Sequence, residues 1–153
     1  MRNPFDPSAV TRYRLDPSVV DLICFCTKNP APMLPHLDRL SAYGQYWFVT
    51  ITPYGRDIEP NVPDKHRILA DFRRLSDRVG VNSMGWRYDP ILITERYTEG
   101  YHIRAFEQMA KALEGYTHTV VISFIDLYPK VRRNFPEARE VPREQRLSLG
   151  TKI

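Results

Sequence analysis

Four short apolar runs rich in β-forming residues recur along the chain, and segments with helical hydrophobic spacing lie between them. Residues 19–27, 45–52 and 118–125 read as buried strands, and residues 83–94 contain another, with Pro90 limiting its ladder. After a Lys28-to-Pro32 loop, Met33, Leu37 and Leu40 recur at helical spacing, and Gly44 supplies a stop. Past a loop from Pro53 to Val62, Pro63 suits a first helical turn and Asp64 favours its dipole. Ile68, Phe72, Leu75 and Val79 then form one stripe that Gly80 ends. Thr98 can cap a third helix with the stripe Ile103, Phe106, Ala110 and Leu113, and Gly115 closes it.

The three helix-ending glycines are 36 and 35 residues apart, each followed almost at once by a β-rich run. A βα repeat of constant period implies parallel strands joined by helices, and near-continuous apolar strands imply burial on both faces. The expectation is an α/β fold with four parallel strands and three main helices. The regular period, with no three-glycine dinucleotide fingerprint and no phosphate loop, favours a barrel over an open doubly wound sheet. A complete barrel takes eight strands and about 250 residues, so the pattern describes about half of one. Residues 1–135 read as a partial βα-barrel domain and 136–153 as a basic C-terminal tail.

Composition sharpens this picture at one end. The 153 residues carry a formal charge of +4, and the last 26 hold all of it, with seven basic and three acidic side chains. The tail reads as a solvated helix or loose terminus, and phosphate contact with a nucleic acid is the sharper alternative. Two cysteines are too few for a disulfide framework, a four-cysteine zinc site or a cysteine-ligated iron–sulfur cluster. Cys24 and Cys26 share one face of a strand and read as core residues. His36, His66, His102 and His118 are scattered without zinc-helix spacing and read as surface or helix-border residues. No membrane helix and no targeting segment is recognised, which sets a cytoplasmic expectation.

Ligands of parallel α/β sheets bind at the carboxyl ends of strands, and here all four ends are polar. Lys28 and Asn29 follow the first strand. Thr50, Thr52 and Tyr54 end the second, Arg87 and Asp89 lie on the third, and Ser123 and Asp126 end the fourth. Period-2 alternation puts Thr50 with Thr52, and Arg87 with Asp89, on shared faces. Together these nine residues form a candidate mouth for a polar, anionic ligand. Plainer readings stand beside it. Arg87 and Asp89 make a ready ion pair, the threonines are good strand formers, Lys28-Asn29-Pro30 makes a turn, and Asp126 can cap the next segment.

The strings Arg2-Asn3-Pro4-Phe5, Thr27-Lys28-Asn29-Pro30, Thr52-Pro53-Tyr54-Gly55, Asp57-Ile58-Glu59-Pro60, Trp86-Arg87-Tyr88-Asp89-Pro90 and Ser123-Phe124-Ile125-Asp126 resemble an uncharacterised prokaryotic family, a domain of unknown function. Its longer members carry a C-terminal cysteine cluster similar to that of radical S-adenosylmethionine enzymes. The resemblance implies a barrel-like fold whose mouth holds S-adenosylmethionine and substrate, with a 4Fe-4S cluster only in the longer relatives. The family's strand and helix before Arg2, and its cysteine cluster, have no counterpart in this sequence.

Two functional expectations follow. In one, the chain is a fragment or cluster-less relative of a radical S-adenosylmethionine-like enzyme that binds a polar cofactor or substrate at its strand ends. In the other, it is a non-catalytic module that completes its sheet by self-association or with a missing barrel half. Nucleic-acid binding through residues 130–152 is a weaker third.

Overall fold

The computed structural model describes Asp6 and residues 8–153, so the 2–5 string of the resemblance lies outside the described residues. Strand β1 (Leu22–Thr27) is followed by a 3₁₀ helix (Ala31–Leu40), β2 (Gly44–Thr50), α1 (Lys65–Val79), β3 (Met84–Ile91), α2 (Glu99–Leu113), β4 (Val120–Phe124), α3 (Pro129–Asn134) and α4 (Arg143–Lys152). The four strands are parallel and stand in the sheet in chain order, β1-β2-β3-β4.

Chain order in a parallel sheet has a geometric consequence. Every crossover steps in the same direction, and crossovers of this kind are right-handed, so all of them pass over one face. That face is the core. Trp47, Val49 and Ile51 from the β2 segment and Met84, Trp86 and Tyr88 of β3 pack with Ile68, Phe72 and Leu75 of α1 and with Phe106, Met109 and Leu113 of α2. Trp86 stacks on Phe106 with ring centroids 4.7 Å apart. Segment 136–153 adds Val141 and Leu149 to this core.

The opposite face corrects the expectation of two buried faces. The register aligns Cys24 with Tyr46, Cys26 with Phe48, Thr50 with Arg87, and Arg87 with Val121. Along this face Leu22, Cys24, Cys26 and Val121 are exposed. The cysteines are therefore solvent-facing thiols and not core residues. Apolar side chains on alternate positions concealed a period-2 division between covered and uncovered faces.

Local chemistry explains the helices. The Asp64 carboxylate accepts from the His66 and Arg67 N–H groups and opens α1, and the Thr98 hydroxyl accepts from the Tyr101 N–H at the start of α2. Gly80 and Gly115 follow α1 and α2 with φ of +89° and +80°, a region that favours glycine. Gly44 does not end a helix. It opens β2, where a Cβ would stand 2.7 Å from the Asp21 carbonyl oxygen. The segment before it is 3₁₀ and not α: Pro35 lies inside it, and in an α-helix its ring would clash with the carbonyl four residues back. Three residues per turn then line up Leu34, Leu37 and Leu40, of which Leu34 and Leu37 are buried and Leu40 packs against the core edge.

No helix among the described residues is long and apolar enough to cross a membrane.

His102 is fully buried, which corrects its reading as a surface residue. Its Nε2 lies 3.1 Å from the Leu92 carbonyl, which can only accept, so Nε2 carries the proton. Nδ1 therefore accepts from the Tyr88 hydroxyl at 2.8 Å. Burial holds the imidazole below its ordinary pKa, only partly opposed by the Leu92 bond, and burial likewise raises the Tyr88 phenol. A depressed histidine pKa contributes stability above the unfolded value of about 6.5 that is lost as pH falls below it. His102→Gln is expected to cost about 1–3 kcal/mol at neutral pH and to flatten this acid slope, read from urea midpoints at several pH values. Equal slopes in the two proteins would remove the assignment.

Candidate functional site

At the carboxyl end of the sheet the uncovered face becomes polar, because strand alternation delivers hydrogen-bonding side chains from adjacent strands to one place. Arg87 and Asp89 lie two residues apart on β3 and form an ion pair. The Ser123 hydroxyl of β4 donates to the other oxygen of the same carboxylate. Asp89 thus ties β3 to β4 where the ladder shifts register, between Tyr88 and Ile91, and the Asp89–Pro90 peptide there is cis. The Asp89 side chain is 14% exposed and that of Arg87 35%, so the pair is open to a ligand yet shielded from full solvation. Thr50 of β2 is the register partner of Arg87 and is buried.

A second cluster forms around Glu59, on the loop after β2. Its Oε1 accepts from Lys28 Nζ at 2.6 Å and from the Thr52 hydroxyl at 2.8 Å, and its Oε2 is paired with Lys65 Nζ. Burial raises the Glu59 carboxyl, but the bonds from Lys28, Lys65 and Thr52 outweigh it and hold the group below the ordinary carboxylate range. Two ammonium groups against one carboxylate leave this cluster net cationic. A cavity of about 210 Å³ adjoins it, lined in part by Arg56, Glu59 and Lys65. A larger one, of about 620 Å³, lies at the other end of the sheet, between the start of β4 and the end of α2, and is mainly apolar.

Of the nine residues expected from the sequence, Thr50, Arg87, Asp89 and Ser123 come together from three strands, and Lys28 and Thr52 meet at Glu59. Tyr54 is buried, with its pKa raised by burial. Its hydroxyl donates to the Pro90 carbonyl and accepts from the Leu92 N–H, both at 2.7 Å. Asn29 is exposed, and its N–H donates to the Thr27 hydroxyl, as in a turn. Asp126 is exposed and caps nothing, since α3 begins after Tyr128 with no side-chain cap.

Glu59 and Lys65 were not anticipated. Glu59 sits mid-loop, and its only sequence signal was membership of the Asp57-Ile58-Glu59-Pro60 string. Lys65, the first residue of α1, has no sequence signal beyond that position. Nearby, the Tyr97 hydroxyl donates to Asp57, which lowers that carboxyl, and accepts from the Gly55 N–H.

A 4Fe-4S cluster is held by cysteine thiolates, and the chain has two cysteines. Among the described residues no group of three or more His, Cys, Asp or Glu side chains could hold a metal ion.

Comparison with known proteins adds a family. A family model described as "Domain of unknown function (DUF1848)" matches residues 1–153. No curated protein matches the chain, and no solved structure does.

Replacing Glu59 tests the electrostatics of its cluster. A depressed carboxyl pKa contributes stability above the unfolded value and loses it as pH falls through the folded one. Glu59→Gln is therefore expected to lower stability by about 1–3 kcal/mol at neutral pH, with the gap closing below about pH 4.5. Denaturant titration at a series of pH values from 7 down to about 2 reads the difference. A gap of constant size across that range would mean that packing, and not charge, carries the effect.

Proposed function

We propose that this chain, which belongs to the DUF1848 family of domains of unknown function, is a partial βα barrel that binds a polar small molecule at the carboxyl ends of its strands. The observation that carries the reading is the Arg87–Asp89–Ser123 arrangement on the uncovered face. It sets a guanidinium and a carboxylate side by side, partly shielded from water, with the net-cationic Glu59 cluster as a further charged group at the strand ends. A ligand with both a carboxylate and a cationic amine can satisfy both signs at once. S-adenosylmethionine is a compound of that kind and is the cofactor implied by the family resemblance. In this reading Arg87 receives the carboxylate, Asp89 the amino group, and Ser123 holds the Asp89 side chain in place. The chain's own residues supply binding and orientation. They supply no ligands for an iron–sulfur cluster, so no radical step is assigned to them.

Calorimetric titration with S-adenosylmethionine tests this. Wild type is expected to bind, and Arg87→Ala and Asp89→Asn to bind about 10–100-fold more weakly, the loss for one charge-assisted hydrogen bond. No binding by protein with a cooperative unfolding transition would sink the cofactor assignment.

A second reading is favoured by the uncovered sheet face. Leu22 and Val121 are 53% and 36% exposed there, and β1 and β4 are the outer strands of the sheet. Exposed sheet faces and edges invite pairing with further strands. A second copy related by a twofold axis along the strands would set β4 beside β1 of the partner, in parallel, and close eight strands. Light scattering is then expected to give twice the 17.9 kDa chain mass. A folded monomer at tens of micromolar would rule this assembly out.

A further inference from the structure

Beside the strand-end clusters, on β1, the uncovered face carries a pair of thiols that neither cluster uses. Cys24 and Cys26 are two residues apart on β1, both exposed and both free. The ladder to β2 runs the whole length of β1, so the backbone at both positions is held in regular register. Two residues of strand span about 6.6 Å, and their Cβ atoms are separated by a similar distance. A disulfide needs its Cβ atoms about 3.5–4.5 Å apart. The pair therefore cannot close on itself without breaking the ladder. A metal ion bound linearly between two thiolates, at about 2.3 Å from each, spans about 4.6 Å, which the two side chains reach by leaning inward.

Their surroundings select the kind of ion. Opposite Cys24 stands Tyr46, and opposite Cys26 stands Phe48. No carboxylate or imidazole faces the thiols across the ladder. Zinc asks for four ligands and hard cations for oxygens, so this site suits neither. Two soft ligands in an aromatic setting suit a monovalent soft ion that accepts two-coordination, the class of Cu(I). The thiols also act on one another. Cys24 is held above its ordinary pKa by burial first, then by the charge and hydrogen bond of Cys26. A bound cation relieves that repulsion, displacing a proton from each thiol.

We propose that Cys24 and Cys26 form a two-coordinate dithiolate site on β1 for a soft monovalent metal ion of the Cu(I) class. The site is separate from the strand-end cluster and does not depend on a ligand binding there.

The test uses the fully reduced whole chain and Ag(I), an air-stable ion of the same class. Native mass spectrometry and thiolate-to-metal absorption in the near ultraviolet are expected to show one ion per chain. Cys24→Ser and Cys26→Ser should each lose at least tenfold in affinity, while circular dichroism and the unfolding midpoint stay near wild type, because both side chains are exposed. Arg87→Ala should bind Ag(I) as wild type does. Equimolar Zn(II) should not displace the ion, and a thiol count after mild air oxidation should still find two free thiols. Undiminished binding in the Cys24→Ser/Cys26→Ser double variant would overturn the proposal. So would one ion shared between two chains, displacement by zinc, or an intramolecular disulfide formed with the fold intact.

Discussion

The structure depends on a constraint of handedness. Four parallel strands laid down in chain order require every crossover to pass over the same face, since a right-handed connection that always steps the same way never changes sides. The core is therefore one-sided, built from Trp47, Val49, Trp86 and Tyr88 against α1 and α2. The other face keeps only what the strands themselves project. Its middle is thiol and aromatic and its carboxyl end is charged, a division that follows from reading alternate residues along β1 to β4.

Charge at the strand ends is organised around two carboxylates, each satisfied by groups from more than one segment of the chain. Asp89 meets its β3 neighbour Arg87 and Ser123 of β4. Glu59 meets Lys28 after β1, Thr52 after β2 and Lys65 at the start of α1. At Glu59 desolvation favours the neutral acid, and the bonds from Lys28, Lys65 and Thr52 decide for the anion. These carboxylates do the work that backbone ladders do lower in the sheet: they hold neighbouring βα units in register where the strands have ended.

Much of this was legible in the residues. The βα period located the strands, and the capping by Asp64 and Thr98 and the glycines at 80 and 115 lie where local chemistry required them. The misreadings have physical causes. Leu22, Cys24 and Cys26 are as apolar as their neighbours, so hydrophobicity alone could not reveal that one face lacks a cover. Met33, Leu37 and Leu40 fit an α-helix, but proline chemistry imposed three residues per turn and a different stripe. Gly44 lies close enough after that segment to pass for its cap. His102 was concealed because a buried histidine is marked by its partners, Tyr88 and the Leu92 carbonyl, and these are set by tertiary structure. Glu59 was missed for the same reason: a carboxylate in a long loop has no periodicity, and its three partners come from three segments.

The Tyr54 phenol adds a mechanical link between the two carboxylate clusters. A single oxygen donates to the Pro90 carbonyl and accepts from the Leu92 amide, so the loop that leads to Glu59 is riveted to the strand end just beyond Asp89. Lifting the loop breaks both bonds together and frees the Leu92 amide, which makes that amide a reporter of this corner in hydrogen exchange.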